Sequence, residues 1–157
     1  MMLRCVRRRL TTKACAPGNL LTSKRVFTQE DLFEWARLTG DANAIHREAV
    51  APFAAPIVPG LLLASTFPAL FARHHPGAVY RTQSLRFDAA VPVDAEVVSE
   101  IAVDAVRATR RGAFATCATT LRVAATNDLC VSGSARLWLP FGSDVKLPCN
   151  QTTHQTN

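Results

Sequence analysis

Apolar positions along this chain follow two different patterns, and the change falls near Gly77. Before it, Leu32, Trp35, Ala36 and Leu38 form a partial stripe at helical spacing, behind Thr28-Gln29-Glu30-Asp31. Thr28 suits an N-cap and Asp31 a capping-box partner, so the pattern predicts an amphipathic surface helix ending at Gly40, where glycine accepts a left-handed turn. A second, short helical segment is expected over residues 47–53. An extended entry, Pro56-Ile57-Val58-Pro59-Gly60, then leads into residues 61–71. There Leu61, Leu63, Phe67, Leu70 and Phe71 occupy more than one side, as in a helix that is buried on most faces. Pro68 removes one internal hydrogen bond from that helix and predicts a kink or an early end.

After Gly77 four segments, 79–91, 96–109, 113–125 and 129–139, are rich in Val, Ala, Thr and Phe and alternate in part. Pro92-Val93-Asp94, Arg110-Arg111-Gly112 and Thr126-Asn127-Asp128 separate them as turns, which predicts an antiparallel meander. A buried helix followed by a sheet that must cover it indicates an α+β fold, with one long buried helix wrapped by a curved antiparallel sheet.

Composition changes this picture mainly at the N-terminus. The 157 residues suit one domain and carry a net charge of +6. Residues 1–25 hold seven basic groups and no acid; without them the remaining eleven basic groups face twelve acidic ones. The body is therefore near neutral and gives no case for nucleic acid. The Arg-rich, acid-free leader with its scattered hydroxyls has the composition of a mitochondrial transit peptide. The expected organisation is a leader over 1–23, a folded domain over 24–140 and a polar tail over 141–157. No run approaches the roughly 18 apolar residues of a membrane span. Five cysteines form no CxxC pair, which argues against a zinc knuckle or disulfide framework, and Cys117 and Cys130 are expected in the core. His74 and His75, after the apolar helix, read as surface residues near its C-terminus.

The candidate chemistry lies in Leu38-Thr39-Gly40-Asp41-Ala42-Asn43-Ala44-Ile45-His46. Asp41 and Asn43 fall in a turn, where short polar side chains bond nearby backbone. His46 is close enough in sequence to converge with Asp41 on one small molecule, and a carboxylate and imidazole sharing a water form an acid/base pair suited to neutral pH. Gly60, at the start of the buried helix, presents unpaired amides suited to a developing oxyanion. No cluster with metal-ligand spacing is present.

Three blocks in order, the 38–46 run, Pro56-Ile57-Val58-Pro59-Gly60-Leu61-Leu62-Leu63-Ala64-Ser65, and Gln83-Ser84-Leu85-Arg86-Phe87, resemble the MaoC-like (R)-specific enoyl-CoA hydratases. With the leader, the resemblance is greatest to the mitochondrial 3-hydroxyacyl-thioester dehydratases of type II fatty acid synthesis. It spans about residues 26–140 and implies a hot-dog fold, a homodimer, an acyl-carrier-protein or CoA thioester as substrate, and the mitochondrial matrix as location. By position, Asp41 and His46 match the family's catalytic pair. Gly60 matches the glycine whose amide binds the thioester oxygen, and Asn43 the asparagine that shapes the loop. Pro59 stands where many members have His, and Pro68 where bacterial members often have a Ser that orients the carboxylate; Ser65, one turn earlier, is the candidate substitute. The implied reaction is reversible dehydration of (R)-3-hydroxyacyl thioesters to trans-2-enoyl thioesters, a reaction for which no metal or redox cofactor is expected. The competing readings are an acyl thioesterase of the same fold and a non-catalytic acyl-binding module.

Overall fold

The computed structural model describes residues 15–140. Strand β1 (Leu20–Val26) is followed by helix α1 (Gln29–Thr39), a 3-10 turn (Ala44–His46), helices α2 (Gly60–Ala64) and α3 (Thr66–His74), and strands β2 (Val79–Phe87), β3 (Glu96–Thr109), β4 (Gly112–Val123) and β5 (Leu129–Pro140). The strands form one antiparallel sheet in the order β1-β3-β4-β5-β2. On β3 and β4 alternate residues, among them Val97, Ile101, Ala115, Cys117 and Leu121, point to the helices. There they meet Leu63, Phe67, Leu70 and Phe71, and these four apolar side chains are at most 2 % exposed.

α1 begins and ends as its residues predict. The Thr28 hydroxyl accepts the Asp31 N–H at 3.3 Å, and the Asp31 carboxylate accepts the Thr28 N–H at 3.0 Å, which closes a capping box. That backbone hydrogen bond is the main reason the Asp31 carboxyl is held below the usual range, with Arg25 adding to it. At the other end Gly40 takes φ 77° and ends the helix.

The expected long helix wrapped by a curved sheet is not what the chain forms. The sheet is open, with β1 and β2 at separate edges, and the apolar run is two short helices that break at Ser65. Pro68 supplies the reason. An unbroken helix would need the N–H of residue 68 to bond the Ala64 carbonyl, and proline has no N–H and a ring that crowds that oxygen. As the third residue of α3, Pro68 instead occupies the first turn, where amides have no partner in any helix.

Three further expectations change. No helix forms over 47–53; the chain makes the 3-10 turn at 44–46 and then turns and bends. Pro52 disfavours helix at the residue before it and leaves a segment too short to nucleate one. The strands are not one meander either. β3, β4 and β5 are consecutive neighbours, but β2 sits outside β5, and β1 lies beside β3. Finally, His75 is 2 % exposed and stacks on Phe71 with ring centroids 4.7 Å apart, so it is a core residue and not a surface cap.

Residues 1–14 of the expected leader and the whole 141–157 tail lie outside the described residues. Residues 20–23 are inside the sheet: Leu21 pairs with Ile101 and is 6 % exposed. The fold reaches further back still, because Gly18 N–H bonds the Val103 carbonyl at 2.8 Å and Cys15 is fully buried. Cys117 and Cys130 are buried and free, and burial pushes the Cys117 thiol up to about 12.

Candidate active site

The 41–46 loop is built by its own short polar side chains. Asp41 Oδ1 accepts the Asn43 N–H at 3.3 Å, and Asn43 Oδ1 in turn accepts the Ile45 N–H at 3.4 Å, capping the 3-10 turn. The turn ends at His46, whose carbonyl accepts from the Gln29 side chain of α1 at 3.2 Å. The loop is thus fastened to the helix that delivers it.

Opposite the loop runs the segment 56–58. Ile57 N–H bonds the Ile45 carbonyl at 2.9 Å, while Val58 N–H bonds the Val91 carbonyl at 2.8 Å. The segment is therefore held between the histidine loop and the connection that follows β2, and it carries the chain into Gly60. His46 Nδ1 lies 2.7 Å from the Ile57 carbonyl oxygen. A carbonyl can only accept, so Nδ1 carries the proton and the neutral imidazole presents a free lone pair at Nε2. Nε2 faces Asp41 Oδ2 at 3.8 Å, beyond direct hydrogen bonding and close enough for both to hold one oxygen atom between them. The His46 side chain is 14 % exposed and that of Asp41 38 %. One carboxylate oxygen and one ring nitrogen are thus fixed by backbone, and the other of each is turned toward the same space.

That space is a cavity of about 510 Å³ lined by Asp41, His46 and Gly60 together with apolar side chains that include Trp35, Phe53 and Phe87. Gly60 is the first residue of α2, so its N–H has no carbonyl within the helix to bond. α2 has only five residues, so the helix dipole adds little to this local amide. The Phe87 ring lies against Gly60, with no room for a side chain between them.

Asp41, His46 and Gly60 are thus brought together. Asn43 supports the loop from its exposed side and does not line the cavity. Ser65 is not brought to it at all: its hydroxyl donates to the Leu62 carbonyl at 2.6 Å, and it borders a separate small cavity beside β1 and α3. Three lining residues escaped sequence reasoning. Trp35, counted there only as part of the apolar stripe, has its indole N–H buried at the cavity without a partner. Phe53 lies in the supposed second helix. Phe87, present there only as the last residue of the third resembling block, closes β2 in phase with Leu85, and its half exposure is not visible in that spacing.

An antiparallel sheet over short helices here sets a carboxylate, an imidazole and a helix-start amide around an apolar cavity, the groups that acid/base chemistry on a largely apolar ligand would use. Comparison with known proteins agrees with that class. The MaoC like domain model matches residues 13–125, and the chain belongs to that family. It is 33 % identical over 127 residues to the mitochondrial 3-hydroxyacyl-[acyl-carrier-protein] dehydratase FERN of Solanum lycopersicum, covering 78 % of this chain and 76 % of that protein. It is 35 % identical over 97 residues to the mitochondrial 3-hydroxyacyl-[acyl-carrier-protein] dehydratase of Arabidopsis thaliana, covering 59 % of this chain and 58 % of that one. Among solved structures, the (R)-hydratase from A. caviae involved in PHA biosynthesis superposes with a TM-score of 0.75 at 30 % identity, covering 82 % of this chain and 99 % of the other.

Proposed function

We propose that this protein is a hydro-lyase that interconverts (R)-3-hydroxyacyl and trans-2-enoyl thioesters in fatty-acid metabolism. The observation that carries this reading is the pairing of His46 Nε2 with Asp41 Oδ2 across 3.8 Å at the mouth of an apolar cavity, in a chain similar to dehydratases and an (R)-hydratase. In hydration, the two groups hold one water and take its proton as its oxygen bonds to Cβ of the enoyl group. The electron pair displaced from the double bond moves onto the thioester oxygen, which the Gly60 N–H receives. A proton is then returned to Cα. Dehydration runs the same path in reverse, with the 3-hydroxyl leaving as water between the same two groups. Asn43 acts by holding the loop that carries both. Ser65 has no part in this reading, since its hydroxyl is engaged with the α2 backbone.

The similarity to mitochondrial dehydratases suggests a mitochondrial protein, and we place it in the matrix. The organisation we propose is a leader within the first residues, one catalytic domain and a polar tail. We further propose a homodimer acting on acyl-carrier-protein thioesters, with CoA thioesters as substitutes. The free edge of β2, with Val79 and Phe87 about half exposed, supports pairing with a second copy.

Product analysis on crotonyl-CoA tests the reaction. The proposal requires (R)-3-hydroxybutyryl-CoA with the thioester intact. Release of free CoA thiol would identify a thioesterase instead.

A further inference from the structure

One end of the sheet's outer face is strongly and unequally charged. Arg107 on β3 lies opposite Phe114 on β4, and Phe114 lies opposite Trp138 on β5, which in turn pairs with Val79 on β2. Arg136 sits with its guanidinium 4.3 Å from the centre of the Phe114 ring. Arg81 stands at the irregularity of β2, and Arg110 and Arg111 form the β3–β4 turn just beyond, where with Thr109 and Phe114 they line a recess of about 650 Å³. All five arginines are exposed, and none makes an ion pair among the described residues. Elsewhere three arginines are paired with acids, Arg25 with Asp31, Arg37 with Glu34 and Arg86 with Asp88, while Arg47, Arg73 and Arg122 stand singly and apart from one another. Of the carboxylates on β3, Glu96 and Glu100 stand toward the opposite end, and Asp104, exposed at the bulge before Ala105, is the one acid near the five arginines on that strand. Five unpaired cations therefore surround an aromatic platform.

We propose that this surface docks an acidic protein, the carrier that bears the acyl thioester; this rests on the hydro-lyase reading above. Its extent favours a protein. The patch crosses four strands, three gaps of ~4.8 Å or about 14 Å, and continues over the turn, broader than a single phosphate group needs. Its composition, arginines around Phe114, Trp138 and a half-exposed Val79, is that of a protein interface.

The patch also determines which cavity the carrier serves. Its Arg110–Arg111 turn lies beyond the Val79 end of β2 and the cavity at the Phe87 end, eight residues or about 27 Å away at ~3.4 Å per residue, while Arg136, level with Thr82, stands about 17 Å from that end. A carrier centred on the Arg110–Arg111 turn is thus seated at the opposite end of the sheet from the cavity of its own subunit. A second copy laid antiparallel along the free edge of β2 sets the Val79 end of one chain beside the Phe87 end of the other. The carrier docked on one subunit thus delivers its acyl group to the cavity of its partner.

The test uses the full chain with Arg110→Glu/Arg111→Glu, both in an exposed turn. With crotonyl linked to an acidic carrier protein, KM should rise at least tenfold; with crotonyl-CoA, kcat and KM should stay within about twofold. Equal effects on both substrates, or no effect on the carrier-linked one, overturn the docking surface. Loss of binding to anionic phospholipid vesicles with an unchanged carrier KM would likewise overturn it, assigning the patch to membranes. For delivery in trans, doubly tagged mixed dimers join one Asp41→Asn subunit to one Arg110→Glu/Arg111→Glu subunit. Their KM for the carrier substrate should return to the parental value, because the intact cavity faces the intact patch. A KM as high as that of the arginine variant alone, or a protein that is monomeric, contradicts it. Hydration of crotonyl-CoA by the unmodified protein checks the hydro-lyase reading separately.

Discussion

The ring of Phe87 occupies the space that a side chain on Gly60 would need: a Cβ built there would lie 2.7 Å from Phe87 Cε1. Residue 60 is therefore glycine for a packing reason, since any residue but proline would supply the same amide. Gly60→Ala must push the ring aside, and because Phe87 is 52 % exposed the ring can swing outward at modest cost, on the order of 1 kcal/mol. The cavity wall moves with it. We expect kcat/KM on crotonyl-CoA to fall more than tenfold while the melting temperature changes by only a few degrees. Adding Phe87→Ala relieves the clash, so the double variant should match Phe87→Ala alone in stability. Full activity in Gly60→Ala would show that neither the ring nor the amide geometry matters.

A second expectation concerns the N-terminus. A chain lacking residues 1–22 loses Leu20, Leu21 and Thr22 of β1 and the buried Cys15, whereas one lacking residues 1–13 keeps all of them. The longer truncation should unfold at clearly lower temperature, because it strips pairing from the edge of β3 and opens the core. Equal melting temperatures would mean that β1 adds little to the fold.

A third expectation concerns acid stability and His75. Burial, and secondarily the charge of His74, lowers its pKa from the ordinary 6.5, and its Nε2 is buried without a partner. Below pH 6.5 the unfolded chain takes up this proton before the folded one does, so stability is full above that pH and declines as pH falls toward the depressed folded value. His75→Gln removes the titration, and its pH–stability profile should be flatter than the parent's as pH falls below 6.5. Superimposable profiles would show that His75 does not set the acid limb.

Much of the site was legible because it is local. Asp41, Asn43 and His46 lie in one turn, and the capping residues that place it, Thr28, Asp31 and Gly40, act over three or four positions. What sequence could not supply was neighbourhood across the sheet. Alternation on residues 79–87 tells which face a side chain takes, not that β2 pairs with β5 or that its last residue covers Gly60. β1 was hidden by charge: Lys24 and Arg25 look like leader composition, yet both are paired in the fold, with Glu96 and Asp31. Ser65 was placed by counting one helical turn back from Pro68 along a continuous helix. The proline breaks that helix, and the hydroxyl folds back onto it.

The central claim is that His46 and Asp41 act together on one water. Its most direct measurement is the rate of crotonyl-CoA hydration by folded His46→Ala, Asp41→Asn and the double variant. Each single change should lower kcat by on the order of 10²–10⁴, as expected for lost general acid–base catalysis. The double variant should lose far less than the product of the two, since either change alone disables the shared water. A His46→Ala protein that hydrates crotonyl-CoA at nearly the parental rate would contradict the account.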